Sequence, residues 1–554
     1  MADKWSVARD LDEISRYLEL SEPTPFRARA FERAARAVEN LDRDLAELVR
    51  SGELYGIPGI GKAIGPIIIE LLDTGTTPYL DDLRRRYPPG IFDLLRVPGL
   101  GLKKIGLLHS TFGIGSLDDL ERAAREGRLA RLRGFGPKTQ AKIVDGIEKA
   151  RRRESKFLLP TGLEVGEWMR ERLAGIAGVE DVEIAGSVRR RLEVIRNVNL
   201  AIATGAPAEV IRHLGGHLDR LQELGAGVWK GVARNEIDVV LHLTERRHFG
   251  VTVLRATGTS EFVAAFEKKA GRITTARTEE ELFEKAAIAF VEPERRESAD
   301  ELLRKKRPSL VHATDLRGTF HVHTTFSDGR NTVREMLQAS RGRGFEYVGI
   351  SDHSKAAYYA GGLTEERLRE QQAEIDRQAE GVAPMRVFKG SEADILPDGT
   401  IDYDVRTRSA FDFIVASVHS RFGMDEEEMT ARILRALDDP QVTFLGHLTG
   451  RLLLSRDGYR IDLDRIFERA AERGVIIEIN GNPRRLELDW RHIGRAVERG
   501  VLFSIHPDAH SIAELSHVIS GTWVARKGGL TARQIFNTRS VEEVEEHFAR
   551  RKGD

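Results

Sequence analysis

The chemistry in this sequence is concentrated in its last third. Ten of the sixteen histidines follow residue 320, most of them inside short apolar frames. His321-Val-His323 comes first, then Asp328 in Phe-Ser-Asp-Gly. Asp352-His353 follows the apolar run Tyr347–Ile350, and Glu392 lies in Gly-Ser-Glu-Ala-Asp. His419 sits in Ala-Ser-Val-His-Ser, His447 in Leu-Gly-His-Leu-Thr-Gly, and Asp508-Ala-His510 after Leu502–Ile505. Imidazole with carboxylate suits Zn²⁺, Mn²⁺ or Fe²⁺. Nine such side chains exceed one ion's needs, so a cluster of two or three ions is expected. The chemistry of such a cluster is phosphoester hydrolysis: it lowers the pKa of bound water and neutralises phosphoryl oxygens. Arg421, Arg451 and Lys355 are candidates for assisting that neutralisation. A lone histidine is usually structural; two closely spaced pairs and five further frames behind strand candidates are not.

Strands must bring these residues together. Within a strand, i and i+2 point the same way, so His321 should converge with His323, and Asp508 with His510. From 319 onward, the strand candidates Phe345–Ile350, Phe411–Val418, Gly474–Ile479 and Gly500–Ile505 alternate with amphipathic helical patterns. That rhythm predicts a parallel α/β barrel or layered sheet, with the ligands on the rim at the strand C-termini.

The rest of the chain has other rhythms. At 554 residues, roughly three to five domains are expected. Residues 1–155 read as helices joined by glycine turns, and 160–300 as mixed α/β with strands at Val179–Ala185 and Asn235–Leu243. Residues 294–318 are polar and charged, as in a linker. Three turns run into helical segments, carrying Gly59, Gly61 and Lys62, then Gly99, Gly101, Lys103 and Lys104, then Gly134, Gly136 and Lys138. Such turns present free backbone N–H groups to a phosphate without reading a base. Arg122–Lys156 holds 12 basic against 4 acidic residues, although the whole chain has a net charge of only −1. DNA held by its backbone, without sequence specificity, is the partner this predicts. Cysteine is absent, which excludes disulfides, thiolate-bound zinc and a thiol nucleophile. No apolar run reaches membrane-spanning length and the start, MADKWSVARDLDEIS, has no signal-peptide pattern, so a cytoplasmic, nucleoid-associated protein is expected.

Gly186-Ser187-Val188-Arg189-Arg190 follows a strand candidate, and with the helix-hairpin-helix turns it resembles the bacterial family X DNA polymerases. The resemblance covers the whole chain. It implies a multidomain α plus α/β protein: a helical lobe with helix-hairpin-helix motifs in two parts (1–80 and 81–155), a nucleotidyltransferase-like palm and thumb (156–295), a linker (296–318), and a PHP domain (319–554), a distorted TIM-like barrel with three metals. It carries over all nine residues, His321, His323, Asp328, His353, Glu392, His419, His447, Asp508 and His510, as ligands. In the palm it implies Gly186, Ser187, Arg189 and Arg190 as phosphate binders, and three Mg²⁺-binding carboxylates. Two of those positions are Asn197 and Asn199, and only Asp238 remains acidic. Arg196 stands where the family has Gly, Arg255-Ala256 where it has an aromatic pair, and Ile67 at the lyase lysine position. The resulting expectation is a monomeric metal-dependent phosphoesterase. It would act as a 3′→5′ exonuclease or 3′-end processing enzyme in repair, on gapped or 3′-ended DNA, with a silent polymerase site. The alternatives are a working gap-filling polymerase with proofreading, a histidinol-phosphatase-like small-molecule phosphatase, and a non-enzymatic DNA scaffold.

Overall fold

The computed structural model describes residues 4–554 apart from 22–25, 40, 42–44, 98, 133–134, 137–138, 141, 145, 148–155, 234–235, 305–306 and 554. The chain divides into two compact units, Met1–Glu154 and Ser155–Asp554.

The first unit is helical. Amphipathic helices such as Lys4–Ser21, Phe26–Glu39, Gly65–Thr74 and Leu102–Phe112 bury one apolar core that runs from Val7 to Ile147. That core crosses the boundary expected at 80/81, so the two helical parts share one interior. Gly59 and Gly99 have φ of 97° and 85°, a left-handed reversal that disfavours other residues. The chain then enters a helical turn at Gly61, Gly101 and Gly136, each accepting from amides three and four residues on.

In the second unit, strands β1 (Phe157–Leu158) and β3 (Val194–Ile195) form a small antiparallel pair. β2 (Val179–Ala185), β4 (Asn197–Thr204), β5 (Asp219–Gly225), β6 (Val228–Val232) and β7 (Asp238–Thr244) form a sheet in the order β2-β4-β7-β6-β5. β4 and β7 are parallel, with Asn197 opposite Asp238.

β8 (Gly318–Val322), β9 (Tyr347–Ile350), β10 (Arg386–Asp394), β11 (Phe413–Ser417), β12 (Phe444–Leu445), β13 (Ile476–Asn480) and β14 (Phe503–His506) follow in sequential order as one parallel sheet. Helices between them cover its outer face, the pattern that right-handed crossovers produce. The sheet nearly closes into a seven-stranded barrel. Val322 bridges to Ala509, and the buried side chain of Asn537 fills the seam. Its Nδ2 donates to the carbonyls of Gly318 (2.9 Å) and Ile505 (2.8 Å), and its Oδ1 accepts from the Ile505 amide at 2.9 Å. An aromatic plug of Phe320, Phe388, Phe413, Phe444, Phe536 and Phe548 fills part of the interior. Gly349 and Gly390 make room for the Phe413 ring, which a Cβ at either position would meet at 2.6 Å or less.

The described residues of the 296–318 stretch, 296–304 and 307–318, form a packed strap rather than a free tether, with Leu302, Leu310, Val311 and Leu316 buried. Arg296 is fully buried, pairs with Glu279 and donates to the Val291 carbonyl at 2.9 Å. The helix His517–Gly528 ties the five-stranded sheet to the barrel. Gly521 lies against Ile505, and Lys527 Nζ donates to Glu297 (2.6 Å) and the Arg190 carbonyl (3.0 Å). Among the described residues, no helix is long and apolar enough to cross a membrane.

Asn537→Ala should leave buried Gly318 and Ile505 backbone groups unpaired and cost about 3 kcal/mol. The expected readout is faster hydrogen exchange at Gly318–Val322 and Phe503–His506 with little change at β2 and β4.

Candidate metal centre

All nine side chains expected as ligands meet at the C-terminal rim of the barrel. They fall into overlapping groups whose ligand atoms lie within 4.8 Å of one another: His323, Asp328, His353 and His510; His321, His323 and Asp508; His321, Glu392 and His447; and His353, Glu392 and His419. Glu392, at the end of β10, joins two of these groups. Its Oε1 is 2.9 Å from His447 Nε2, 3.2 Å from His419 Nε2 and 3.3 Å from His321 Nε2. Its Oε2 is 2.9 Å from His353 Nδ1. Asp328, the most exposed of the carboxylates, faces His510 Nε2 at 3.3 Å and His353 Nε2 at 3.6 Å.

Strand alternation does not produce this convergence. His321 and Asp508 have φ of 62° and 52°, and the β8–β9 register slips between Thr319 and Val322. Asp508 and His510 lie beyond β14 altogether. The backbone kink at His321 brings its ring to 5.2 Å from that of His323, and the His323 and His510 rings stack at 4.2 Å.

A second set of buried groups orients the first. Glu478 Oε2 holds His321 Nδ1 at 2.5 Å and His506 Nδ1 at 3.0 Å. Asp394 Oδ1 holds His419 Nδ1 at 2.8 Å. Asp352 accepts from the Thr324 amide and the Thr324 and Ser327 hydroxyls, fixing the turn that carries Asp328. Sequence reasoning passed over Glu478, whose signal was a charge inside the apolar run Val475–Ile479. It also passed over Arg485, whose Nε lies 3.5 Å from Asp508 Oδ2. It did nominate three other cations. Lys355 pairs with Glu365 at 2.6 Å, Arg451 is spent on Asp489 and the carbonyls of Arg485 and Leu486, and Arg421 is an exposed turn residue.

The electrostatics fit a cation site. His321 Nε2, both ring nitrogens of His323 and His353 Nδ1 are buried and make no hydrogen bond, although carboxylate oxygens stand close by. Buried ring nitrogens that face carboxylate oxygens without a hydrogen bond between them suit an ion placed among them. Burial opposes charge on every group here, yet His419, His353 and His321 together hold the Glu392 carboxyl well below its usual range. Burial likewise opposes charge on His419 and His510, but Glu392 and Asp394 raise His419 to about 10, and Asp328 and Asp508 raise His510 to about 9. Without metal, protons on His419 and His510 supply part of the positive charge, whereas burial and the neighbouring His510 and His353 push His323 down to about 4.

The palm-like site is built differently. Asn197 and Asn199 lie on β4 with Asp238 beside them on β7, the geometry expected of the three carboxylate positions. Asn199 Nδ2 donates to Asn197 Oδ1 at 2.7 Å, and Asn199 Oδ1 meets His242 Nε2 at 3.1 Å. Lys230 Nζ sits 2.9 Å from Asp238 Oδ2. Gly186 (φ 65°) packs against Asn199, where a Cβ would meet Nδ2 at 2.6 Å, and Ser187 is half-buried beside it. Arg189 and Arg190, expected to grip phosphate, are turned into the protein instead: Arg189 onto Glu279 (2.7 Å) and Glu183 (3.1 Å), Arg190 onto Glu297 (3.0 Å) and the Thr257 carbonyl (2.6 Å).

In the helical unit, a Cβ at Gly61, Gly99, Gly101 or Gly136 would meet nothing within 4 Å, so the turns are open to an approaching group. Lys62 and Lys103 are exposed, while Lys104 Nζ folds back onto the Gly99 carbonyl at 2.8 Å. Gly134 and Lys138 lie outside the described residues.

A parallel barrel with a histidine and carboxylate rim, in a chain that also carries glycine-turn hairpins, defines a PHP-domain protein with DNA-binding-type modules. Residues 319–482 match the PHP domain family, 3–77 the helix-hairpin-helix domain, and 91–149 the SAM-like helix-hairpin-helix tandem. The chain is 33% identical, over 99% of its own length and 99% of the relative's, to the DNA polymerase/3′-5′ exonuclease PolX of Bacillus subtilis. It is also 27% identical to a probable phosphatase of Caldanaerobacter subterraneus, over 42% of this chain and 91% of that protein. A probable phosphatase of Clostridium acetobutylicum is 30% identical over 29% of the chain and 62% of its own length. The chain belongs to the bacterial family X DNA polymerases that carry a C-terminal PHP domain.

The raised His419 and His510 give a signed prediction. Their protonation stabilises the metal-stripped fold below about pH 6.5, and that contribution is lost as pH rises through about 9 to 10. The melting temperature of chelator-treated protein should fall from pH 7 to pH 10, and added Mn²⁺ or Zn²⁺ should flatten the fall. Metal titration near pH 7.5 should release protons, read by calorimetry in buffers of different ionisation enthalpy.

Proposed function

We propose that this protein is a DNA-binding, metal-dependent phosphoesterase that trims 3′ ends in repair, and that its polymerase site no longer catalyses nucleotide addition. The observation that carries the reading is the contrast between the two sites. The PHP rim brings nine ligand-type side chains together, with unpaired imidazole nitrogens facing carboxylates. The palm-like site offers two amides and one carboxylate already paired with a lysine. Asparagine has the shape of aspartate without its charge, and Mg²⁺ depends on anionic oxygen.

We assign His321, His323, Asp328, His353, Glu392, His419, His447, Asp508 and His510 as the residues that hold two or three divalent ions of the Zn²⁺, Mn²⁺ or Fe²⁺ kind. Bound there, the ions would supply an activated water and Lewis-acid stabilisation of the phosphoryl oxygens. Glu392 orders the centre by serving two groups at once. Glu478 and Asp394 fix the ring orientation of His321 and His419 and make both rings more basic. Arg485, with its Nε 3.5 Å from Asp508 Oδ2, supplies a positive charge beside the centre for an incoming phosphate.

The chain order gives a division of labour. Residues 1–80 and 81–155 hold DNA by its backbone through Gly59, Gly61, Lys62, Gly99, Gly101, Lys103, Lys104, Gly134, Gly136 and Lys138. Residues 156–295 persist as a scaffold, 296–318 join them to the barrel, and 319–554 hydrolyse. Gapped or 3′-ended DNA is the substrate. The PHP-domain relatives named as probable phosphatases support a small phosphomonoester as the second reading, which competition between the two substrates separates.

A 5′-labelled primer on a gapped template, with Mn²⁺ or Mg²⁺ and with or without dNTPs, tests the reading. Primer shortening should fall roughly 100-fold or more in His321→Ala, fall roughly 10- to 100-fold in Glu478→Gln, and persist in Asp238→Ala. Extension that requires dNTPs and Asp238 would falsify the silent-polymerase assignment.

A further inference from the structure

Two exposed aromatic rings stand beside the metal centre without a part in it. Among the described residues of 155–554, Tyr358 and Tyr359 are the exposed aromatic side chains, at 85% and 62%. Exposed tyrosines on a mobile loop would mean little, but this loop is tied down. It leaves directly after His353 and returns with the Leu363 amide donating to the His353 carbonyl at 2.9 Å. Its base is buried through Ala357 and Ala360. The Ala356 amide is held by Asp402 at 2.8 Å. Arg367 clamps the Gly361 carbonyl (3.3 Å) to that of Phe326 (2.6 Å), and Gly361 packs against Ser327, next to Asp328. The turn therefore spans the two segments that carry His353 and Asp328, the latter the most exposed carboxylate of the centre. The Tyr359 hydroxyl lies in the field of Asp394, Glu392 and Asp328. The two rings meet edge to face at 6.0 Å, so one flat face is not covered by the other.

The geometry points to Tyr358 and Tyr359 as a stacking platform that receives the terminal bases of an unpaired strand and sets the last phosphodiester over the metal centre. This rests on the hydrolytic reading above and adds what that reading lacks, a contact that separates a nucleic-acid end from a bare phosphate ester. Stacking suits the task because every base has a π-face, so the platform tolerates any sequence. Tyr358 and Tyr359 are positioning residues: they touch the bases and not the reacting atoms.

The test compares two single strands of equal length, one ending in ordinary nucleotides and one in two abasic residues, with the full-length protein and Mn²⁺. Wild type should favour the strand with bases. Tyr358→Ala/Tyr359→Ala should raise KM for that strand roughly 5- to 50-fold and shrink the preference toward one, whereas Tyr358→Phe/Tyr359→Phe should retain it. A 2-aminopurine at the strand end gives a second readout, quenched on binding to wild type and not to the alanine variant. An unchanged preference in the alanine variant overturns the platform, as does an equal loss of kcat on both strands, which would mean only that His353 has shifted. Absence of cleavage of either strand by wild type would instead count against the hydrolytic reading, and the 2-aminopurine signal would still decide for or against the platform.

Discussion

Closure of the seven-stranded sheet is the constraint on which the rest of this protein depends. β8 and β14 come from opposite ends of the barrel sequence, and each leads into part of the centre: His321 and His323 at the end of β8, Asp508 and His510 just past β14. Main-chain contacts at Val322 and Ala509, with Asn537 bridging Gly318 and Ile505, hold the two edges together. An open sheet would leave the first and last ligands on opposite edges, too far apart to share an ion. The aromatic plug inside the barrel and the polar rim at the strand C-termini divide the interior by polarity. Burial stabilises the barrel in one region, and charge is collected in the other.

That collected charge defines the chemistry. Carboxylates buried without compensation would cost several kcal/mol each. Here imidazoles surround them, and in the absence of metal His419 and His510 hold protons to supply balance. The same arrangement makes cations and protons competitors, so metal loading, pH and stability are linked through one set of residues. Glu478 and Asp394 determine which nitrogens of His321 and His419 face inward, and Asp352 holds the turn that carries Asp328.

The palm-like site shows the opposite economy. Its backbone keeps the register in which Asn197, Asn199 and Asp238 are neighbours, but the two amides pair with each other and the carboxylate pairs with a lysine. Lys230 Nζ stands 2.9 Å from Asp238 Oδ2. The arginines of the Gly-Ser motif are used in ion pairs, and Lys527, on a helix of the barrel, donates to the Arg190 carbonyl. Within Ser155–Asp554 the segment after β2 thus also braces the barrel.

Much of this was legible in the sequence. Strand frames at Tyr347–Ile350 and Phe413–Ser417 were marked by apolar runs between amphipathic helices, and the nine candidate metal-binding residues by histidine and carboxylate at their ends. Those are local signals, carried by residue type and spacing. The helical lobe was legible for the same reason, although the sharing of one core across residue 80 was not, because contact between helices leaves no mark on either alone. Other features were decided only in three dimensions. The left-handed backbone at His321 and Asp508, rather than strand alternation, aims the ligands, since a kink at a non-glycine residue has no residue-type signature. The pairing of Arg189 and Arg190 with carboxylates 90 or more residues away, the burial of Arg296 in an apparently polar linker, and the Asn537 seam depend on which distant segments meet. Sequence determined which groups could do chemistry; the closed barrel determined which of them face the same point in space.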